Sequence, residues 1–425
     1  MTSQPHLARQ LGTTDAVVIG LGSMIGAGVF AVFAPAAAVA GRWLLVGLAL
    51  AAVVAYCNAT ASAQLAAQYP TSGGTYAYGR ERLGPWWGFL AGWGFVVGKT
   101  ASCAAMALTF AAYAVPPTWQ RPAAAAAVVL LALVNLRGIT RTAQLTRVLV
   151  VVVLTVLAVV VAAGVVAATG MPPVSTPAVG GSVYGVLQSA GLLFFAFAGY
   201  ARIATLGEEV RDPRRSIPRA VTVALGLVVA LYAALAVVVL LALGSGALAS
   251  STAPLADVAR AAGWGWAVPV VAVGGAAGAL GALLALVAGL GRTSLAMARE
   301  GDLPRPLAAV SPRFQVPHRA EITVAVVVVA LVLTVDLREV IGFSSFGVLV
   351  YYLIANAAAR TQTGEHRRYP RWLQAAGAVG CVVLVVTLPW QSITVGAAVF
   401  VVGIGYRLVA QHGRPLPPPA HRGPS

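Results

Sequence analysis

The chain has 425 residues, of which 59% are apolar and only 9% are charged. Soluble domains carry about 25% charged residues, so this composition excludes a water-soluble fold of this length. The formal net charge of +16 would suggest nucleic-acid binding in a soluble protein. Here the Arg residues lie in short segments between apolar runs, so the composition indicates a protein of the lipid bilayer with no nucleic-acid partner.

Apolar runs recur along the whole chain, and runs of about 18 or more residues are typical of transmembrane helices. The first run, from Asp15 to Ala40, is too long for the core of a signal peptide and is interpreted as a retained helix. The sequence therefore predicts an all-α integral membrane protein of about 12 transmembrane helices. The predicted spans are 14–40, 43–66, 86–114, 122–137, 147–169, 183–206, 220–244, 265–293, 320–336, 339–358, 372–389 and 392–410.

The distribution of Arg predicts the orientation. With a cytoplasmic N-terminus, 23 Arg residues fall in cytoplasmic segments and four fall on the other side. Cytoplasmic loops carry an excess of basic residues, so we expect a multi-pass protein of the cell inner membrane with both termini in the cytoplasm. Residues 1–13 form the predicted N-terminal tail and 14–410 the membrane domain, while 411–425, rich in Pro and basic residues, form a predicted disordered cytoplasmic tail.

Four glycines lie within nine residues of the first span, at positions 20, 22, 26 and 28. Glycine weakens a helix interior, and freed backbone groups are tolerated in a membrane only where they line a cavity or find a ligand. One interpretation is a broken helix whose amides bind an anion. A helix-packing face is the alternative, since Gly22 and Gly26 are four residues apart. A dinucleotide fingerprint is excluded because neither a following strand nor an acidic residue about 20 positions later is present.

The sixth span is apolar and is then interrupted by small and polar residues from Gly199 to Glu209. Two interrupted spans, five helices apart, indicate an inverted-repeat transporter. The alternative for Arg202 is that it marks the end of the helix, with its side chain reaching the interface.

Lys99 is the only Lys of the chain and lies near the middle of the third span. A charged group within a membrane is costly, so it is a functional candidate by default. Burial also favours the neutral amine, which suits a role in proton coupling. The alternative is a structural Lys that binds backbone carbonyls.

The remaining reactive side chains do not form a catalytic set. The three Cys lie far apart in apolar runs, the five His lie in loops or near the termini, and Asp15, Glu208 and Glu209 lie at span ends. Neither a disulfide framework, a metal site nor a cofactor is predicted, and the chain is predicted not to be an enzyme.

Four segments of the chain, taken in order, form a recognisable set of motifs. Residues 22–30 (GSMIGAGVF) resemble the first-helix signature of the amino acid–polyamine–organocation transporters, and residues 69–78 (YPTSGGTYAY) resemble the motif after the second helix of that family. Residues 205–219 follow the sixth span and residues 292–304 (RTSLAMAREGDLP) follow the eighth, both as in the family. The resemblance extends from about residue 12 to 360, and four motifs in the expected order make it specific.

The resemblance implies a LeuT-type fold, with inverted repeats at roughly 14–169 and 183–358 and two trailing helices within 372–410. It also implies a substrate held at mid-membrane between the breaks of the first and sixth spans. Amides at Gly26, Ala27 and Gly28 would bind the substrate carboxylate. Its ammonium would bind carbonyls near Ser23, Met24 and Ile25, and near Ala196, Ala198 and Gly199. By position, Phe195 would be an aromatic lid and Lys99 a polar substrate contact.

The chain departs from the family at the positions used for proton coupling. Several relatives carry a Lys in the fifth span, where this chain has Thr155, and an acid after the glycine of the sixth-helix break, where it has Ala201. These departures put the usual proton route in doubt. The coupling candidates are Lys99, Arg202, Thr155 and Glu208.

These observations predict a secondary active transporter that moves an amino acid by alternating access. A neutral or acidic amino acid is favoured, because the expected site carries no acidic side chain. Symport with a proton or sodium ion and exchange are left open. An amine or polyamine exchanger is the alternative within the fold. Two alternatives of other classes are disfavoured. A membrane-embedded lipid-modifying enzyme would need clustered acids or His, and a sensor would need a soluble signalling domain; the sequence shows neither feature.

Overall fold

The computed structural model describes residues 11–70, 73–137, 142–170, 181–206 and 209–412. The regular elements of this part are helices, and its one β-type contact is a parallel bridge between Leu11 and Val210. The α-helices are α1 Thr13–Met24, α2 Ala27–Ala31, α3 Phe33–Ala40, α4 Leu44–Gln68, α5 Gly74–Leu83, α6 Pro85–Ala114, α7 Gln120–Leu136, α8 Thr142–Gly170, α9 Val183–Phe197, α10 Ala201–Ala204, α11 Pro213–Ser250, α12 Pro254–Ala261, α13 Ala267–Arg299, α14 His318–Thr334, α15 Leu337–Arg360, α16 Arg371–Thr387 and α17 Trp390–His412. Short 3₁₀ helices occupy Gly41–Trp43, Pro117–Trp119, Ala198–Tyr200, Arg305–Ala308 and Gly364–His366.

Each predicted span coincides with a helical stretch, so the all-α membrane class is confirmed. Within the described residues, ten stretches are long and apolar enough to cross a membrane, and α16 is a shorter apolar helix. The count of twelve therefore stays a prediction. α11 continues beyond the predicted 220–244 through a non-helical Gly244, which has a positive φ of 70°. The short helices α5 and α12 lie in connections and were not predicted as spans.

The exterior of the bundle is apolar. Leu241, Val273, Val401 and Val402 are each more than 60% exposed. In water this surface would favour association, whereas a bilayer solvates it directly. The outer face of the bundle therefore fits a lipid environment, as expected for a multi-pass membrane protein.

Glycines bring α6 and α15 into backbone contact. A Cβ at Gly98 would lie 3.0 Å from the carbonyl oxygen of Ser344, and one at Gly347 would lie 2.7 Å from that of Gly94. Small residues allow such close approach of membrane helices. Because the two helices are locked together here, they present Lys99 of α6 and Tyr352 of α15 to the same neighbouring segment.

A buried ion cluster joins α5, the loop after α13 and the last helix. Asp302 accepts from Arg80 Nη1 at 3.0 Å and from the Tyr76 hydroxyl at 2.9 Å, and its other oxygen lies 3.3 Å from Arg407 Nη2. The side chains of Asp302 and Arg407 are 4% and 2% exposed. Burial and the Asp302 charge raise the pKa of Tyr76, so its hydroxyl stays protonated and donates. This cluster fixes three segments at one end of the bundle.

Candidate functional site

The first predicted span is interrupted where the glycines predicted it. α1 ends at Met24, Gly26 has the non-helical angles φ −54° and ψ −137°, and α2 begins at Ala27. The interruption removes the helical partner of nearby carbonyls, which must then find other donors. The Met24 carbonyl accepts from the hydroxyl of Tyr232, at 2.6 Å.

The sixth predicted span is interrupted as well. α9 ends at Phe197 and is followed by a 3₁₀ turn, Ala198–Tyr200, before α10. The Ala198 carbonyl accepts from the Tyr352 hydroxyl at 3.2 Å and from Lys99 Nζ at 3.3 Å. The hydroxyl of Tyr232 also lies 3.2 Å from the Ala196 carbonyl. Side chains from three other helices thus converge on the carbonyls of the two breaks.

The two breaks contact each other directly, and we call this region the α1–α9 junction. It comprises residues 23–28 and 195–199. A Cβ at Gly199 would lie 2.2 Å from the carbonyl oxygen of Ser23, and one at Gly28 would lie 2.8 Å from the Cα of Ala196. The glycines of the first span therefore fit both the broken-helix and the helix-packing interpretation, since they lie at the break and also allow close packing.

Lys99 reaches this junction from α6 and is only 7% exposed. A buried ammonium requires polar partners in place of water. The recorded partner is the carbonyl of Ala198, at 3.3 Å. Within the described residues, Lys99 makes no hydrogen bond or ion pair with a carboxylate. The side chain therefore carries its charge, when protonated, against backbone dipoles.

Most of the other predicted site residues also lie at the junction. Ile25 and Phe195 are buried, at 2% and 7% exposure. The Ser23 hydroxyl donates to the carbonyl of Ile19 at 2.8 Å, within its own helix. Ala27 is the first residue of α2, with its amide in the first turn.

The coupling candidates lie in different surroundings. Thr155 is exposed on α8, and its hydroxyl donates to Val151 of the same helix at 2.9 Å. Arg202 is half-buried and donates to the hydroxyl of Thr205 at 3.3 Å. Glu208 lies outside the described residues. Of the three candidates within the described residues, Lys99 is the one that contacts the junction.

The tyrosines of the junction were not predicted from the sequence. Tyr232 and Tyr352 are 1% and 0% exposed and supply hydroxyl donors to its carbonyls. A Tyr within an apolar span is a weak signal, because its hydroxyl can equally lie at the membrane interface. Only the packing of α11 and α15 on the breaks identifies their partners.

The described part of the chain shows neither a metal-binding cluster nor a pair of bonded cysteines. It contains no group of three or more His, Cys, Asp or Glu residues that could hold a metal ion. Cys57, Cys103 and Cys381 are buried free thiols. The junction presents backbone carbonyls, the Lys99 ammonium and tyrosine hydroxyls, which are groups that suit binding.

Comparisons with known proteins concern the family of the chain. A family model described as "Amino acid permease" matches residues 11–409. An uncharacterized transporter of Mycobacterium tuberculosis is 60% identical over 94% of this chain and 90% of its own length. The similarity therefore includes both breaks and the helices that pack on them.

Two more distant relatives have names that state a substrate. The branched-chain amino acid permease BcaP of Bacillus subtilis is 24% identical over 92% of this chain and 90% of its own. The human cationic amino acid transporter 4 is 29% identical over 83% of this chain and 59% of its own. Both names specify amino acids, but of different side-chain classes.

Proposed function

The chain belongs to the amino acid permease family and is a membrane transporter, not an enzyme; on that premise we propose that it is a secondary transporter that binds an amino acid at the α1–α9 junction. Both termini lie in the cytoplasm in this proposal, and the membrane is the inner one. The Arg distribution supports this orientation.

The observation that carries the proposal is the convergence of hydrogen-bond donors on the junction carbonyls. The carbonyls of Met24 and Ala196 accept hydrogen bonds from the Tyr232 hydroxyl. The carbonyl of Ala198 accepts from the Tyr352 hydroxyl and from Lys99 Nζ. An α-ammonium has three donors and no acceptor, so it matches such a set of carbonyls. The Lys99 ammonium already occupies one of them, which supports the view that these acceptors suit a cation.

The contact between the breaks supports a mechanism of alternating access. The position of a Cβ on Gly199 lies 2.2 Å from Ser23 O, so an amino acid has no room between these two backbones in this conformation. We propose that binding separates α1 from α9 and that the substrate ammonium displaces Lys99 from Ala198. The amides at positions 26–28, at the start of α2, would then receive the carboxylate.

The charge at the junction favours a neutral or acidic amino acid. Lys99 repels a second positive charge on the substrate, while an anionic side chain can pair with it. The relatives named for cationic and for branched-chain amino acids leave both substrate classes open, so Lys99 is the feature that favours a neutral or acidic substrate. The same charge disfavours the second candidate, an exchanger of amines or polyamines.

Uptake into proteoliposomes tests this function. The purified full chain is reconstituted, and labelled neutral, acidic and cationic amino acids and labelled diamines are offered with a pH gradient, a sodium gradient or an unlabelled amino acid inside. We expect uptake of a neutral or acidic amino acid in at least one of these conditions. Uptake of diamines alone would support the amine exchanger, and no uptake of any of these substrates would contradict the proposal.

A further inference from the structure

A cavity of about 430 Å³ lies between α15 and α16, and its lining residues do not include those of the α1–α9 junction. This size falls within the range of small-molecule sites. Its lining includes the last residue of α15, Arg360, and the first residue of α16, Arg371. We call it the α15–α16 cavity. The transport proposed at the α1–α9 junction does not involve the α15–α16 cavity.

The cavity has a basic end and a deeper end that is lined mainly by alanine. Asn356, Ala375 and Ala378 also line it, and they lie deeper along the two helices. At a rise of 1.5 Å per residue, Ala378 is about 10 Å further along the helix axis than Arg371. A ligand that fills this cavity therefore has an anionic group at one end and an apolar portion at the other.

Within the described residues, no carboxylate pairs with the positive charge at the basic end. Arg360 and Arg371 make no ion pair within the described residues. Gln374, which is 1% exposed, also lines the cavity, and its amide nitrogen has no hydrogen-bond partner among the described residues. Arginine forks and an amide donor are the groups that bind phosphate oxygens.

The neighbouring residues indicate that this end lies at the membrane surface. Trp372 follows Arg371 and is 66% exposed, and exposed Trp residues are enriched where bilayer meets water. The Arg distribution predicts that this surface is the cytoplasmic one, where anionic lipids and juxtamembrane basic residues attract each other.

We propose that the α15–α16 cavity binds an anionic phospholipid. The phosphate contacts Arg360, Arg371 and Gln374, and the start of an acyl chain lies against Ala375 and Ala378. A free phosphate shares the headgroup chemistry but leaves the apolar part of the cavity unfilled. The lipid is therefore the better match.

The site is also connected to the junction. Asn356 donates to the carbonyl of Tyr352 at 2.9 Å and to the side chain of Asn58 at 2.6 Å. The hydroxyl of Tyr352 in turn donates to Ala198. A lipid against Asn356 thus stabilises the helix segment that holds one of the junction carbonyls.

The test compares the melting temperature of the purified full chain in detergent with added phosphatidylglycerol or phosphatidylcholine of identical acyl chains. We expect a larger increase with phosphatidylglycerol. The double variant Arg360→Gln/Arg371→Gln should lose this difference, with its apparent affinity for phosphatidylglycerol reduced about fivefold for each Arg. The control Arg367→Gln/Arg368→Gln removes two charges from the adjoining loop, outside the cavity lining, and should keep the difference.

Two further arms identify the ligand. Ala375→Leu fills the apolar part without changing the charge, and it should reduce the phosphatidylglycerol effect while the melting transition stays cooperative. Inorganic phosphate should give little increase in melting temperature. Equal effects of both lipids on the unsubstituted protein, or of phosphate and phosphatidylglycerol, would overturn the proposal. So would a full phosphatidylglycerol effect in the double variant.

Discussion

At the scale of single residues, Lys99 links the sequence to the proposed specificity. Its ammonium is buried and lies on the Ala198 carbonyl, the acceptor that we assign to the substrate ammonium. Substrate and Lys99 therefore compete for one atom. This competition makes Lys99 the residue whose substitution is most informative.

Lys99→Met should weaken the discrimination against cationic amino acids. It keeps much of the side-chain length and removes a charge that would lie near a substrate side chain. An interaction between unit charges about 6 Å apart at an effective dielectric constant of about 20 corresponds to roughly a hundredfold in affinity. We expect a gain of about tenfold to a hundredfold in arginine or lysine binding relative to a neutral amino acid, measured by competition for uptake. Lys99→Arg should retain the discrimination.

A second readout on Lys99→Met separates specificity from coupling. If Lys99 only contacts substrate, accumulation driven by a pH gradient persists in the variant. If Lys99 carries the transported proton, accumulation disappears while exchange survives. Unchanged selectivity together with unchanged pH dependence would leave Lys99 a purely structural role.

Phe195 and Phe194 allow a matched comparison of lid and core. Phe194 packs edge-on against Tyr352, with ring centroids 5.8 Å apart, and is fully buried. Phe194→Ala should therefore mainly reduce stability, by about 3–5 kcal/mol in unfolding free energy. Phe195→Ala should mainly weaken substrate binding, since we assign its ring to closure over the substrate. Melting temperature and substrate Kd measured on both variants test this, and equal losses of binding would contradict the lid.

At the scale of elements, the close packing of the broken helices sets the geometry of the junction. We predict that Gly199→Ala severely reduces transport, because its Cβ would lie 2.2 Å from Ser23 O and force α1 away from the sixth span. Gly226→Ala on α11 is the control, since nothing lies within 4 Å of its Cβ position. It should be neutral or stabilising by up to about 1 kcal/mol. Initial uptake rates of both variants are measured at matched expression. Normal transport by Gly199→Ala would show that close packing at Gly199 is not required.

The ion cluster around Asp302 should behave as one structural unit. Asp302→Asn removes the carboxylate charge that lies 3.3 Å from the buried guanidinium of Arg407, and breaking a buried pair costs about 3–5 kcal/mol. Glu300→Gln is the control, since the carboxylate of Glu300 is 53% exposed and exposed pairs contribute about 0–1 kcal/mol. Thermal unfolding in detergent measures both. A smaller loss for Asp302→Asn than for Glu300→Gln would show that the cluster is not a structural unit.

The helices and their breaks were the predictable part of these elements. Glycines within a long apolar run locate the first break because they weaken a helix wherever they occur. The short helices α5 and α12 escaped prediction because they lack the length of a span. The donors Tyr232 and Tyr352 escaped because a hydroxyl in an apolar helix gives no indication of which distant carbonyl it meets. Asp302 lies in a recognised motif, yet its partners Arg80 and Arg407 are more than 100 residues away on either side.

At the scale of the whole molecule, the apolar exterior suits contact with lipid, and the polar junction carries the proposed binding function. Exposed aliphatic residues such as Leu241 and Val401 face the surroundings, while the buried Lys99 and Tyr232 face the breaks. Composition alone predicts the exterior, because lipid tolerates aliphatic side chains. The conformation of the junction is set by contacts among α1, α6, α9, α11 and α15, which no local pattern encodes.

The central claim is that backbone groups of the α1–α9 junction recognise the ammonium and carboxylate of an amino acid. The most direct measurement is equilibrium binding of the transported amino acid, its N-acetyl derivative and its α-amide to the purified protein. We predict that each derivative binds about tenfold to a hundredfold more weakly, because each loses charge-assisted hydrogen bonds. Binding of either derivative as tightly as the parent amino acid would contradict the account.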